Sequence, residues 1–368
     1  MSGDETEGRF EMQALTRRGF LWALSASGAM LAAHPQSANP SPPPSAPTVK
    51  PISGSWFEFQ HPSKVEGAAW NAACASFTGE HWDAKIREIA QVGMEYLVLM
   101  GTALDNRSFV PTTIFPQWHL ACPDPLEAVL AAADKYGVKF FIGAGFYGNW
   151  GGPKAISDPV AAKKRVRAIE EITRSYSHHR SFHGWYWPDE VKILPRFSAP
   201  FVQYVNTSSR LARQLTPHAR ILIAPYGTRL AVPDDEYVRQ LEALDVDFVA
   251  YQDEVGVRKS TVEETPRFYE GLRKAHDRAR RSAIWADVEI FRCEGEVYKS
   301  ALLPAPFSRV LRQMEAVSPW VDKILVYQYQ GMMNQPGSAA FCGTPESTKL
   351  YTAYVNWLGT QEQGTRRS

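Results

Sequence analysis

From residue 54 onward the chain alternates between two hydrophobic periods. Short runs of β-branched and aromatic residues, apolar at nearly every position, are followed by longer segments whose apolar residues recur every three or four positions, with charge on the other face. Eight short runs can be counted: "SWFEF" at Ser55, "YLVLMG" at Tyr96, "KFFIGAGF" at Lys139, "FHGWYWP" at Phe182, "RILIAPYG" at Arg220, "DFVAYQ" at Asp247, "AIWADVEIF" at Ala283 and "KILVYQYQ" at Lys323. Between them lie "WDAKIREIAQVG", "DPLEAVLAAADKYG" and "DPVAAKKRVRAIEEITRSYS". The first two close on Gly93 and Gly137, where a helix C-cap glycine belongs.

Eight strand-helix units in about 300 residues, with near-continuously apolar strands, predict an α/β fold: a single-domain, closed parallel (β/α)8 TIM barrel over residues 51–358. An open doubly wound sheet would carry a nucleotide-binding glycine loop after its first strand, and neither GxGxxG nor GxxxxGK with a following Ser or Thr occurs there. "GNWGGP", Gly148 to Pro153, follows the third strand and reads as a turn or as a loop that lets backbone approach a ligand.

The segment before the barrel has a different character. Arg17 and Arg18 precede an apolar run from Gly19 to Ala33, and Thr16-Arg17-Arg18-Gly19-Phe20-Leu21 resembles bacterial twin-arginine signals. Residues 1–33 are therefore expected to be an export signal read by the twin-arginine machinery, residues 34–50 a Pro- and Ser-rich linker, and the mature chain periplasmic or extracellular with no membrane span. An uncleaved anchor is the competing reading of the same run. The polar stretch 359–368 is expected to be a flexible tail. Four cysteines, Cys74, Cys122, Cys293 and Cys342, form no CxxC pair, so the alternatives are one or two disulfides in an exported protein or isolated buried thiols.

Composition narrows the partner. With 40 Lys and Arg against 39 Asp and Glu, the formal net charge is +1, so no overall field recruits nucleic acid or an anionic membrane. The strand ends, where the loops of such a barrel converge, are instead acidic and aromatic: Glu58 and His61, Tyr147 and Trp150, Asp189 and Glu190, Tyr226, Gln252 with Asp253 and Glu254, Asp287 and Glu289, and Tyr327 to Gln330. Aromatic rings stack on the apolar faces of a pyranose while carboxylates and amides hold its hydroxyls, so the expected partner is a carbohydrate. Hydrolysis of a glycosidic bond needs two carboxyl groups flanking the anomeric carbon, and no cofactor or metal. Strand alternation puts Trp285, Asp287 and Glu289 on one face, toward the barrel axis. Glu190 and Glu289 are 99 positions apart (289 − 190), about three barrel units, which places them on the fourth and seventh strands.

At these residues the chain resembles the glycosidase superfamily of (β/α)8 barrels with an acid/base at the end of strand four and a nucleophile at the end of strand seven. More narrowly, "GWYWPDE", "YQDEVG" and "WADVE" resemble an uncharacterised-domain family of bacterial barrels within it, from about Ser53 to Leu358. The resemblance implies Glu190 as general acid/base and Glu289 as nucleophile of a retaining glycoside hydrolase. Asp189 stands where the better-known members carry an asparagine that binds the sugar 2-hydroxyl. Ionised, it would accept from that hydroxyl and raise the Glu190 pKa by like-charge repulsion.

Each assignment has a structural competitor. Pro188 can shift the alternation, so either Asp189 or Glu190 can face inward, and a surface carboxylate capping the next helix is the alternative for Glu190. Glu289 competes with an ion pair to Arg292 or Arg258. Asp253 and Glu254 can position substrate, support Glu289 through a hydrogen bond or pair with Arg258. Gln252 suits a hydroxyl or a polar barrel layer, and Trp185, Trp187, Trp285, Tyr226 and Tyr329 divide between sugar platforms and core. The histidines, His178, His179 and His183 included, form neither HxH nor HExxH at a strand end, and no GxSxG elbow occurs. An inverting mechanism and a non-catalytic glycan-binding barrel are the alternatives to a retaining hydrolase.

Overall fold

The computed structural model describes residues 49–148 and 156–365. The segment expected to be an export signal, the expected linker up to residue 48, Trp150 and the rest of "GNWGGP" beyond Gly148 lie outside them.

The eight apolar runs form eight strands, β1 (Ile52–Phe57), β2 (Tyr96–Leu99), β3 (Lys139–Gly143), β4 (Phe182–Tyr186), β5 (Arg220–Ile223), β6 (Phe248–Gln252), β7 (Ala283–Glu289) and β8 (Lys323–Tyr327). Each pairs in parallel with its neighbour in sequence, and β8 pairs with β1 to close the barrel. Eight main helices follow: α1 (Gly79–Gln91), α2 (Pro125–Tyr136), α3 (Pro159–Tyr176), α4 (Ala199–Leu215), α5 (Asp235–Ala243), α6 (Thr265–Ala279), α7 (Phe307–Val317) and α8 (Glu346–Thr365). Local chemistry fixes their ends. Asp124 and Asp158 cap α2 and α3 by accepting from the Glu127 and Val160 amides, with Pro125 and Pro159 just inside. Gly137 closes α2 at φ 76°, the left-handed conformation that a Cβ disfavours.

Strand alternation produces two apolar layers. Trp56, Tyr96, Phe141, Tyr186, Leu222 and Trp285 fill the barrel interior, while Trp185, Ile221, Val249, Ile284 and Val288 face the helices. The register sets the levels of the inward residues. Gln252 stands opposite Asp287, and Glu289 opposite Tyr327. After β7 an antiparallel hairpin, Phe291–Cys293 with Leu302–Pro304, rises over the C-terminal face. The last helix continues past Leu358 to Thr365, so helix occupies most of the stretch expected as a flexible tail. All four cysteines are buried free thiols rather than disulfides. Among the described residues no helix is long and apolar enough to cross a membrane.

Candidate functional site

Where the strands end, the loops enclose a cavity of about 340 Å³. Glu190 enters it from β4. Alternation survives Pro188: Tyr186 points into the barrel, Pro188 and Glu190 line the cavity, and Trp185 and Trp187 face the helices. The Glu190 carboxyl accepts from the Tyr186 hydroxyl on Oε1 and from Gln252 Nε2 at 2.7 Å on Oε2. Burial pushes its pKa up to about 7, with the Asp189 charge adding to the rise and the two hydrogen bonds opposing it. Asp189 is turned to the cavity edge, 3.6 Å from Arg165 of α3. Burial raises it against the pull of that guanidinium.

Glu289 ends β7 on the same cavity. Its Oε2 accepts from the Val257 amide at 2.8 Å, and its own amide donates to Asp253 Oδ1 at 3.1 Å. Gly256 lies so close that a Cβ there would fall 2.9 Å from both Glu289 Cβ and Oε2, so only glycine admits the loop to this carboxyl. Burial, then the Asp253 and Glu254 charges, push Glu289 up to about 8 against the Val257 hydrogen bond. Arg258 does not pair with it and donates instead to the Cys293 carbonyl. Arg309 Nη2 reaches the Glu289 backbone carbonyl at 2.9 Å, holding the main chain rather than the carboxylate.

Asp287, one inward position below, also lines the cavity, and its Oδ1 is buried without a hydrogen-bond partner. Burial and the charges of Glu190 and Glu289 raise its pKa well above the ordinary carboxylate range. Beside this acidic trio His61 lies between Glu58, 2.9 Å from Nδ1, and Glu66, 3.5 Å from Nε2. Although burial lowers it, the two carboxylates push His61 up to about 9 and keep it protonated at neutral pH. Tyr327 joins the network through Glu58 at 3.2 Å.

The cavity brings together the expected Glu190, Glu289, Asp189, Gln252, Tyr226 and Asp287. Five other expected contacts lie elsewhere. Trp187 faces outward, donates to Ser209 of α4 at 3.0 Å and stacks on Trp185. Trp285 lies inside the barrel below the cavity, stacked on Phe248 at 4.2 Å. Tyr147 is buried, its hydroxyl 2.9 Å from that of Thr102, while Phe146 takes the place on the cavity wall. Tyr329 donates to Glu88 of α1 at 2.7 Å. Asp253 supports rather than lines: besides the Glu289 amide it accepts from Gln313 of α7 at 2.7 Å.

Two cavity residues, Lys259 and Tyr298, carried no sequence signal beyond their neighbourhood. Lys259 sits in the β6 loop with its ammonium 5.4 Å and 5.3 Å from the ring centres of Tyr226 and Tyr298 and 3.9 Å from Glu254. Tyr298 belongs to the hairpin after β7, where no period marks a binding residue. Tyr186 was legible from alternation, since it shares its face with Glu190.

The described residues bring Glu127, His178 and His179 within 4.8 Å of one another, away from the cavity. Both ring nitrogens of His179 are already engaged, with Asp134 at 2.8 Å and Glu127 at 3.1 Å. That pattern pairs a buried histidine with two carboxylates nearer the surface and leaves no lone pair of His179 for a metal.

The model of the domain of unknown function DUF4434 matches residues 52–340. A comparison with curated proteins gives no match. Among solved structures, the chain resembles an α-L-fucosidase candidate from Bacteroides thetaiotaomicron at 16% identity and TM-score 0.65, covering 88% of this chain and 98% of that one. It also resembles the endo-β-1,4-mannanase of Thermotoga petrophila (12% identity, TM-score 0.56, covering 86% and 78%). A third is the endo-1,4-β-mannanase of Rhizomucor miehei (9% identity, TM-score 0.52, covering 84% and 95%). At these identities the likeness is one of fold.

Proposed function

The chain belongs to the DUF4434 family, and from the chemistry of its cavity we propose that it is a glycoside hydrolase acting by a retaining mechanism. The observation that carries the reading is the pair of glutamates, one from β4 and one from β7, on one cavity with different hydrogen-bond settings. Burial raises both carboxyls, Glu190 to about 7 and Glu289 to about 8, so the pair shares protons near neutrality and the roles rest on the strand each one ends, with Glu190, held by a phenol and an amide, as the general acid. Glu289 is fixed by a single backbone amide on Oε2.

In the reaction Glu289 attacks the anomeric carbon as Glu190 protonates the departing oxygen, forming a glycosyl ester. Glu190 then deprotonates the water that cleaves the ester and regenerates Glu289. Tyr226 and Phe291 supply ring surface, while Gln252 and Asp189 meet hydroxyls. The twin-arginine pattern at residues 16–21 supports a reaction outside the cytoplasm, and the acidic and aromatic lining of the cavity supports an oligo- or polysaccharide substrate.

The test is a screen of the purified full chain against bacterial and plant polysaccharides, with a Glu190→Gln, Glu289→Gln double variant alongside. Reducing ends released by the wild type alone support hydrolysis. Binding of one glycan by both proteins, with cleavage by neither, makes the barrel a glycan reader and removes the hydrolase reading.

A further inference from the structure

The cavity holds more carboxyl groups than glycoside hydrolysis uses. Six acidic residues line it: Glu66, Asp189, Glu190, Glu254, Asp287 and Glu289. Three have a cation beside them, Glu66 with His61 at 3.5 Å, Asp189 with Arg165 at 3.6 Å and Glu254 with Lys259 at 3.9 Å. Three remain, Glu190, Asp287 and Glu289, and among the described residues no cationic side chain is paired with any of them. Two of these perform the reaction. Asp287 is the surplus, only 3% exposed, with Oδ1 facing no hydrogen-bond donor of the protein.

A buried carboxyl without a partner costs stability, so its retention in a cavity calls for a ligand group that satisfies it. A neutral hydroxyl can donate to Oδ1, but it brings no counter-charge and leaves three carboxyls crowded in a drier space. An ammonium group supplies the missing counter-charge. It pairs with ionised Asp287 and, by placing positive charge near Glu289, favours the ionised form that a nucleophile requires. Lys259 does not take this role. It is engaged by Glu254 and by the faces of Tyr226 and Tyr298.

We propose that the sugar bound in this cavity carries a free amine, as in a de-N-acetylated hexosamine, and that Asp287 is the residue that receives it. This deepens the glycosidase reading and rests on it for the placement of the sugar beside Glu190 and Glu289.

The experiment pairs each hexosamine oligosaccharide with its N-acetylated counterpart and a neutral hexose analogue, comparing kcat/KM for the wild-type chain. In parallel, calorimetry measures binding of glucosamine, galactosamine and mannosamine against the corresponding neutral hexoses, for wild type and Asp287→Asn. The expected result is a preference for the amine of at least about tenfold, the scale of one charge-assisted hydrogen bond, and loss of most of that preference in Asp287→Asn. The comparison within the wild type stands without the variant. Equal or better cleavage of neutral or N-acetylated glycans, dependent on Glu190 and Glu289, overturns the amine site and leaves the hydrolase intact. Amine-selective binding that Asp287→Asn weakens, with no glycan cleaved, keeps the amine site and removes the hydrolase.

Discussion

Replacing Glu190 by Gln should abolish turnover and, above neutral pH, make the protein more stable. The side chain has an ordinary pKa of 4.5 in the unfolded chain and about 7 in the fold, mainly because it is buried. Between those values the folded state keeps a proton that the unfolded state has released. Stability therefore falls as pH rises through this window and is fully restored only below 4.5. The difference, 7 − 4.5, corresponds to about 3 kcal/mol of cost at alkaline pH, and the partial opening of Glu190 to the cavity brings the expected value to about 2 kcal/mol. Gln removes this titration at a price elsewhere. The Tyr186 hydroxyl can still donate to its carbonyl, but Gln252 must turn its amide and give up the 3.3 Å bond to the Ala224 carbonyl, costing about 1 kcal/mol. The variant should thus match or fall slightly below wild type at pH 4.5 and exceed it at pH 8.5. Thermal melts across that range should show a gain of about 1–2 °C at the alkaline end, for a net gain of about 1 kcal/mol. A wild-type to variant difference that stays constant with pH would refute the raised, buried carboxyl on which the general-acid role depends.

Further outcomes follow from the same contacts. Tyr186→Phe deletes a hydrogen bond that lowers the Glu190 pKa, so the alkaline limb of the kcat/KM profile should move to higher pH. Gly256→Ala drives a methyl group against Glu289 and should lower kcat more than tenfold, with the circular dichroism spectrum unchanged. Trp187→Phe leaves Ser209 without its donor and opens space between barrel and α4, costing about 2–3 kcal/mol in denaturant melts. Its KM should stay at the wild-type value, because Trp187 does not face the cavity.

Period and parity explain what the sequence made legible. Near-continuous apolar strands separated by amphipathic helices define this barrel, and each strand falls on a run read from the chain. Parity also carries the site. Tyr186, Pro188 and Glu190 hold one face past the end of β4, as Gln252 and Glu254 do past β6 and Asp287 and Glu289 along β7. It failed after β3, where Phe146 rather than Tyr147 meets the cavity. Trp187 and Trp285 were ambiguous for a different reason. An aromatic ring satisfies a core as readily as a sugar, and only the acceptor on Ser209 and the Phe248 face decide their places. Asp253 was legible as a support for Glu289, but its Gln313 partner lies 60 residues away on α7, a distance no local pattern spans. Lys259 and Tyr298 are set by loop conformations that carry no period at all.

The most direct test of the two-glutamate mechanism is to follow the anomer released from a cleaved glycoside by NMR, for the wild type and for Glu289→Gly supplied with azide. A retaining reaction predicts that the wild type releases the anomer it received, and that the variant, inactive alone, regains turnover with azide and yields the glycosyl azide of opposite configuration. Release of the inverted anomer by the wild type, or full activity of Glu289→Gly without azide, would contradict it.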